Sequence, residues 1–83
     1  MLFGEVQERK KMSISYNKLW KLLIDRNMQK KDLIDVLNLS SATVAKMGKG
    51  ESVSLDVLER ICRYFECDIG DIINFVFKDE NNN

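Results

Sequence analysis

The 83-residue chain has no histidine and no proline, four glycines and two cysteines. No apolar run approaches the ~20 residues that a membrane-spanning helix needs. Each shortage excludes something. Without histidine, and with Cys62 and Cys67 as the only thiols, a zinc site lacks its ligands. The acidic residues are scattered, no glycine-rich phosphate loop is present, and the serines have no base beside them in sequence, so no enzyme is expected. The N-terminus lacks the ordered charged, apolar and small-residue regions of a secretory signal. The chain therefore reads as cytoplasmic, with both thiols reduced and serving as small buried hydrophobes. No metal, cofactor, membrane or small-molecule partner is expected. Scarce glycine and absent proline favour helical runs joined by short turns.

What is present is an ordinary globular balance, 45% hydrophobic and 31% charged, in a length that fits one domain. The net charge is zero, but the charges are unevenly placed. From Ser15 to Gly50 there are seven basic against three acidic residues, a surplus of +4. From Glu51 to Asn83 there are three basic against eight acidic, an excess of −5. The first half can face phosphates while the second faces away.

Residues Met1 to Ser13 show no clean period and read as a flexible extension, or at best a short strand containing Leu2, Phe3 and Val6. Tyr16, Leu19, Trp20, Leu23 and Ile24 then recur at helical spacing, with Ser15 as the expected cap and Arg26-Asn27 as the stop. A shorter helix is predicted from Lys30 to Leu37, with Leu33, Ile34 and Leu37 inward. Asn38-Leu39-Ser40 follows as a tight connection. Asn38 can take positive φ, Leu39 can plug the core and Ser40 can cap the next helix. That third helix, Ser41 to Lys49, has only Val44 and Met47 inward, with Ala45 nearby, and Gly50 ends it. Ser54 caps a fourth helix whose apolar face is Leu55, Leu58, Ile61, Cys62 and Phe65. Asp68 and Asp71 resemble a capping box for a fifth, along which Ile69, Ile72, Ile73 and Val76 can close the core. The apolar run through Phe75, Val76 and Phe77 exceeds what one helix face needs, and a dimer contact through a short strand there is an alternative to full packing. The end, Lys78 to Asn83, reads as a polar disordered tail. The expected division is thus a flexible extension over 1–13, a domain over 14–77 and a tail over 78–83.

A helix, a short turn and a second helix with a small polar outer face is the geometry that enters a DNA major groove. The groove is about 12 Å wide and admits one helix, whose leading side chains reach base edges. Ser41, Ala42 and Thr43 are all small enough to let the backbone approach, and Lys46 follows one turn later. The ordered series Leu33, Leu39-Ser40, Val44, Gly50, Ser54-Leu55, Leu58, Ile61-Cys62 and Cys67-Asp68-Ile69-Gly70-Asp71-Ile72 resembles the Cro/cI-type helix-turn-helix family. This is the lambda-repressor-like or xenobiotic-response-element class, and the likeness extends over roughly Ser15 to Val76.

The resemblance implies an all-α, five-helix DNA-binding domain and a bacterial or phage-type transcriptional regulator. It assigns base contact to Ser41, Ala42, Thr43 and Lys46, and phosphate contact to Lys30, Lys31, Ser40 and Lys49. Double-stranded DNA is the implied partner, bound as a homodimer and without cofactor. Asn38 stands where the family usually has glycine, Gly48 where it often has glutamate, and Val53 where it often has proline. Gly48 weakens the end of the third helix by up to about 1 kcal/mol relative to alanine. The competing reading is a protein-interaction module or antitoxin component that keeps the fold, which the acidic second half favours.

Overall fold

The computed structural model describes residues 10–79. In chain order these form β1 (Lys10–Ser15), α1 (Asn17–Asp25), α2 (Lys30–Asp35), α3 (Ser41–Gly48), α4 (Leu55–Phe65), a 3-10 turn (Ile69–Asp71) and β2 (Asn74–Asp79). The two strands pair antiparallel, with Lys10 opposite Asp79 and Ser15 opposite Asn74. The fold is mostly helical rather than all-α, and it has four helices where five were expected.

The missing helix has a physical cause. The Asp68–Asp71 box forms, with the Asp68 N–H donating to Asp71 Oδ2 at 2.9 Å, but the turn it opens lasts three residues. Beyond it, Ile72-Ile73 is β-branched and Phe75-Val76-Phe77 is aromatic and β-branched, which suits a pleated strand better than a helix. A partner strand is available because Lys10–Ser13, expected in a flexible extension, lies in β1. Pairing replaces the helical ladder and leaves Ile69 and Val76 partly exposed, at 38% and 39%, while Ile72 is fully buried. The possible strand at Leu2, Phe3 and Val6, and the tail beyond Asp79, lie outside the described residues.

The core gathers residues from the four helices and from the turns that join them: Tyr16, Leu19, Leu23, Leu33, Leu37, Leu39, Val44, Met47, Leu58, Ile61, Phe65 and Ile72. Besides Ile69 and Val76, two residues expected inward from periodicity stay outside, Ile24 at 71% exposure and Leu55 at 72%. Each begins or ends a stripe, where a turn of helix projects past its neighbours. Cys62 and Cys67 are free and half-buried rather than fully enclosed. Burial is the main force lifting the Cys62 thiol pKa to about 11, with Cys67 beside it adding to the effect.

Helix ends follow local chemistry closely. Asn27 and Asn38 both take positive φ, at 57° and 65°. Ser54 accepts the Val57 N–H at 3.2 Å. The cap of α1 is Tyr16 rather than Ser15, although Ser15 Oγ accepts the Asn17 N–H at 3.3 Å. Tyr16 is buried and donates its hydroxyl to the Glu51 carbonyl at 2.6 Å, which ties the loop after α3 to the start of α1. Helix α2 stops at Asp35, two residues early, since Leu37 and Leu39 send their N–H groups back to Asp32 and Leu33 to form the turn. No helix among the described residues is long and apolar enough to cross a membrane.

Candidate nucleic-acid interface

Helix α3 is presented by the turn before it. Arg60 of α4 donates to the Asn38 carbonyl at 3.4 Å while pairing with Asp56 at 3.3 Å, so the acidic half braces the turn from behind. Ser40 caps α3: its Oγ accepts the Thr43 N–H at 3.0 Å and donates to Thr43 Oγ1 at 2.9 Å. The capping bond satisfies one orphan donor at the helix start and fixes the leading turn.

The outward face follows from helical geometry. Val44 and Met47 are buried. At about 100° per residue, the direction opposite them carries Ala42, Ala45, Lys46 and Lys49, with Ser41 at one border and Thr43 at the other. Ser41, Ala42, Ala45, Lys46 and Lys49 are all exposed. Thr43 is only half-exposed and its hydroxyl already accepts from Ser40, so it sits at the edge of the face. Ala45 is the residue that sequence reasoning missed. It was grouped with the inner residues, yet its helical angle and its exposure put it on the outer stripe between Ala42 and Lys49. The signal was in the angle, once the inward direction was set by Val44 and Met47 alone.

The cations are arranged unequally. Lys30, at the start of α2, lays its ammonium over the Trp20 ring, 4.3 Å from the centroid. The same Nζ lies 4.0 Å from where a Cβ on Gly48 would be, so it reaches the C-terminal end of α3 that carries Lys46 and Lys49. The cation–π contact holds this ammonium beside the C-terminal end of α3. Nothing in the periodicity announces the contact, because it joins three different helices. Lys31 instead pairs with Asp35 at 3.7 Å along α2, and both are exposed. None of the ion pairs among the described residues involves Lys30, Lys46 or Lys49, whereas Arg60 and Arg63 of α4 are paired with Asp56 and Glu59. Among the described residues no group of His, Cys, Asp and Glu could hold a metal.

A small-residue helix face, presented after a tight turn and flanked by lysines with no ion-pair partner among the described residues, defines a helix-turn-helix DNA-binding unit. The chain belongs to the Cro/C1-type HTH DNA-binding domain family, which it matches over residues 18–78. A solved structure, the crystal structure of transcriptional regulator VanUg (form II), is similar at 55% identity and a TM-score of 0.77, covering 81% of this chain and 89% of that one. No curated protein matches the chain. The family is one of DNA-binding domains.

Proposed function

We propose that this protein is a transcriptional regulator of bacterial or phage type that binds a specific operator and represses by occupying it. The observation that carries the reading is the outer face of α3, where Ser41, Ala42 and Ala45 are small and exposed and Lys46 and Lys49 flank them. The first turn enters the major groove. Ser41 and Thr43 hydroxyls pair with base edges, the Ala42 methyl meets a thymine methyl, and Lys46 reaches guanine O6 or N7. Lys30, Lys31, Ser40 and Lys49 hold the flanking phosphates, which set orientation but carry no sequence information. The likeness to a protein described as a transcriptional regulator supports the regulatory role. Residues 14–77 act as the binding unit, in the cytoplasm at the nucleoid, and no cofactor takes part.

One module of this size offers few base contacts. Two copies on a two-fold site, with half-sites about one helical turn apart, supply the rest. Selection from random duplex DNA followed by sequencing is expected to return a palindrome. On that site Lys46→Ala should cost about 1–3 kcal/mol and relax selectivity at one base pair. Lys30→Ala should weaken binding to all sequences alike. Unchanged affinity in both variants sinks the interface. The alternative is a protein-interaction module or antitoxin component, favoured by the −5 second half. Passage straight through a heparin column at low salt would support it.

A further inference from the structure

A free lysine is a loose anchor for a phosphate. Its four-carbon stem is flexible, and fixing the ammonium in one place costs rotamer freedom. Lys30 differs in this respect from the other cations near α3. Its Nζ stands over the Trp20 ring, 4.3 Å from the centroid, well inside the roughly 6 Å over which such a contact attracts. Lys31, beside it in sequence, is paired with Asp35 at 3.7 Å instead. Among the described residues no aromatic ring lies under Lys46 or Lys49.

The ring under Lys30 is itself held. Trp20 packs against the core while staying partly exposed. It lies tilted beside Tyr16, with ring centroids 6.1 Å apart. Tyr16 is buried and bonded to the Glu51 carbonyl, just beyond α3. The platform is therefore fixed to α1 and, through Tyr16, to the loop that follows α3. A ring also differs from a carboxylate as a partner. A carboxylate cancels the field of the lysine and must be displaced or shared when a phosphate arrives. A ring orients the ammonium and leaves its charge whole. The acid nearest in sequence, Asp32, is engaged elsewhere, since its Oδ2 accepts the Gln29 N–H at 2.8 Å. No ion pair among the described residues involves Lys30.

We infer that Trp20 is a positioning residue for DNA binding: its ring holds the Lys30 ammonium, fully charged, beside the C-terminal end of α3, so that a phosphate meets a cation already in place. Trp20 acts through Lys30 and not by touching the duplex. This rests on the phosphate contact proposed for Lys30 above and deepens it. The ordering cost avoided for one long side chain corresponds to about two- to ten-fold in affinity. Losing the ring loosens the cation without removing it, so affinity falls while the number of phosphates neutralised, and with it the salt slope, stays the same.

The test is a double-mutant cycle in the full chain, each fold checked by circular dichroism, with a labelled mixed-sequence duplex titrated between about 50 and 200 mM salt. Trp20→Leu is expected to weaken binding about two- to ten-fold with an unchanged salt slope. Lys30→Ala weakens it and flattens the slope by about one. The double variant should bind within two-fold of Lys30→Ala alone, because the ring has nothing left to hold. Trp20→Phe, which keeps a ring, should recover part of the loss. Without DNA, the Lys30 methylene protons next to the ammonium should be shifted upfield in the NMR spectrum by the indole ring current, and Lys30→Ala identifies the signal. If Trp20→Leu fails to fold, that shift and the affinities of Trp20→Phe with and without Lys30→Ala decide. An unshifted Lys30 signal, a folded Trp20→Leu that binds like the wild type while Lys30→Ala does not, or a Trp20 effect that persists undiminished in the Lys30→Ala background overturns the inference. Unchanged affinity in Lys30→Ala, or no binding to any duplex, overturns it differently: with the ring-current shift present, the contact stands and the phosphate reading beneath it falls.

Discussion

Single residues here show how burial changes chemistry that sequence alone leaves neutral. The Cys62 thiol has its pKa raised from 9.0 to about 11, chiefly by burial and then by the adjacent Cys67. Tyr16 is raised for the same reason. Both groups are neutral when protonated, and the folded state keeps that proton longer than the unfolded chain does. Below about pH 9 the two states bind equal protons and nothing is lost. Between 9 and 11 the unfolded chain gives up the Cys62 proton first, so stability falls as pH rises through this window, and Tyr16 extends the fall above 10. Thermal melts at pH 8 and pH 10 should show the decline. At pH 8, alkylation of Cys62 should be at least ten-fold slower in the folded protein than in urea, since two pH units correspond to roughly a hundred-fold less thiolate. Equal rates would mean the thiol is not held as described.

At the scale of elements, the two glycines at the C-terminal end of α3 have opposite roles. Gly48 is the last helical residue, and a Cβ there would meet only the Lys30 ammonium at 4.0 Å, an ordinary contact. Gly48→Ala should stabilise by about 0.5–1 kcal/mol through helix propensity. That corresponds to a few degrees in melting temperature for a domain of this size. Gly50 has φ +77° and would push a Cβ to 3.3 Å from the Ile14 carbonyl. Gly50→Ala should destabilise by more than about 1 kcal/mol, because both the backbone angle and the close approach of β1 oppose it. Paired melts check both signs. A loss of stability in Gly48→Ala would mean that the end of α3 is frayed. That end is also where Lys30 arrives, so DNA affinity measured on the same variant reports whether its side chain disturbs the ammonium.

At the scale of the whole molecule, charge is sorted by function. Lys30, Lys46 and Lys49 lie on the α3 side without carboxylate partners among the described residues, while the α4 charges are largely neutralised along their own helix. Each phosphate contact adds about −0.9 to the slope of log affinity against log salt. Removing Lys30 should therefore flatten the slope by about one. Glu59→Gln on α4 should leave it unchanged, since the Debye length near 0.15 M salt is only ~8 Å. Titrations of a labelled duplex between 50 and 200 mM salt separate the two. Equal slopes for the wild type and Lys30→Ala would remove Lys30 from the interface.

Much of this protein was legible in its sequence because it depends on neighbours within about four residues. Caps at Ser40 and Ser54, left-handed turns at Asn27 and Asn38, the close of α3 before Gly50 and the inward Val44 and Met47 are all local, and all are present. The family was legible for the same reason, since its motif is a local series. Tertiary structure alone decided the rest. The run after Asp71 leans toward a strand by its own preferences, but a strand needs a partner, and that partner is β1, at the opposite end of the chain. No short-range pattern encodes a pairing between residues 10–15 and 74–79. The Lys30–Trp20 contact and the exposure of Ile24 and Leu55 have the same origin, in how helices meet rather than in how each one forms.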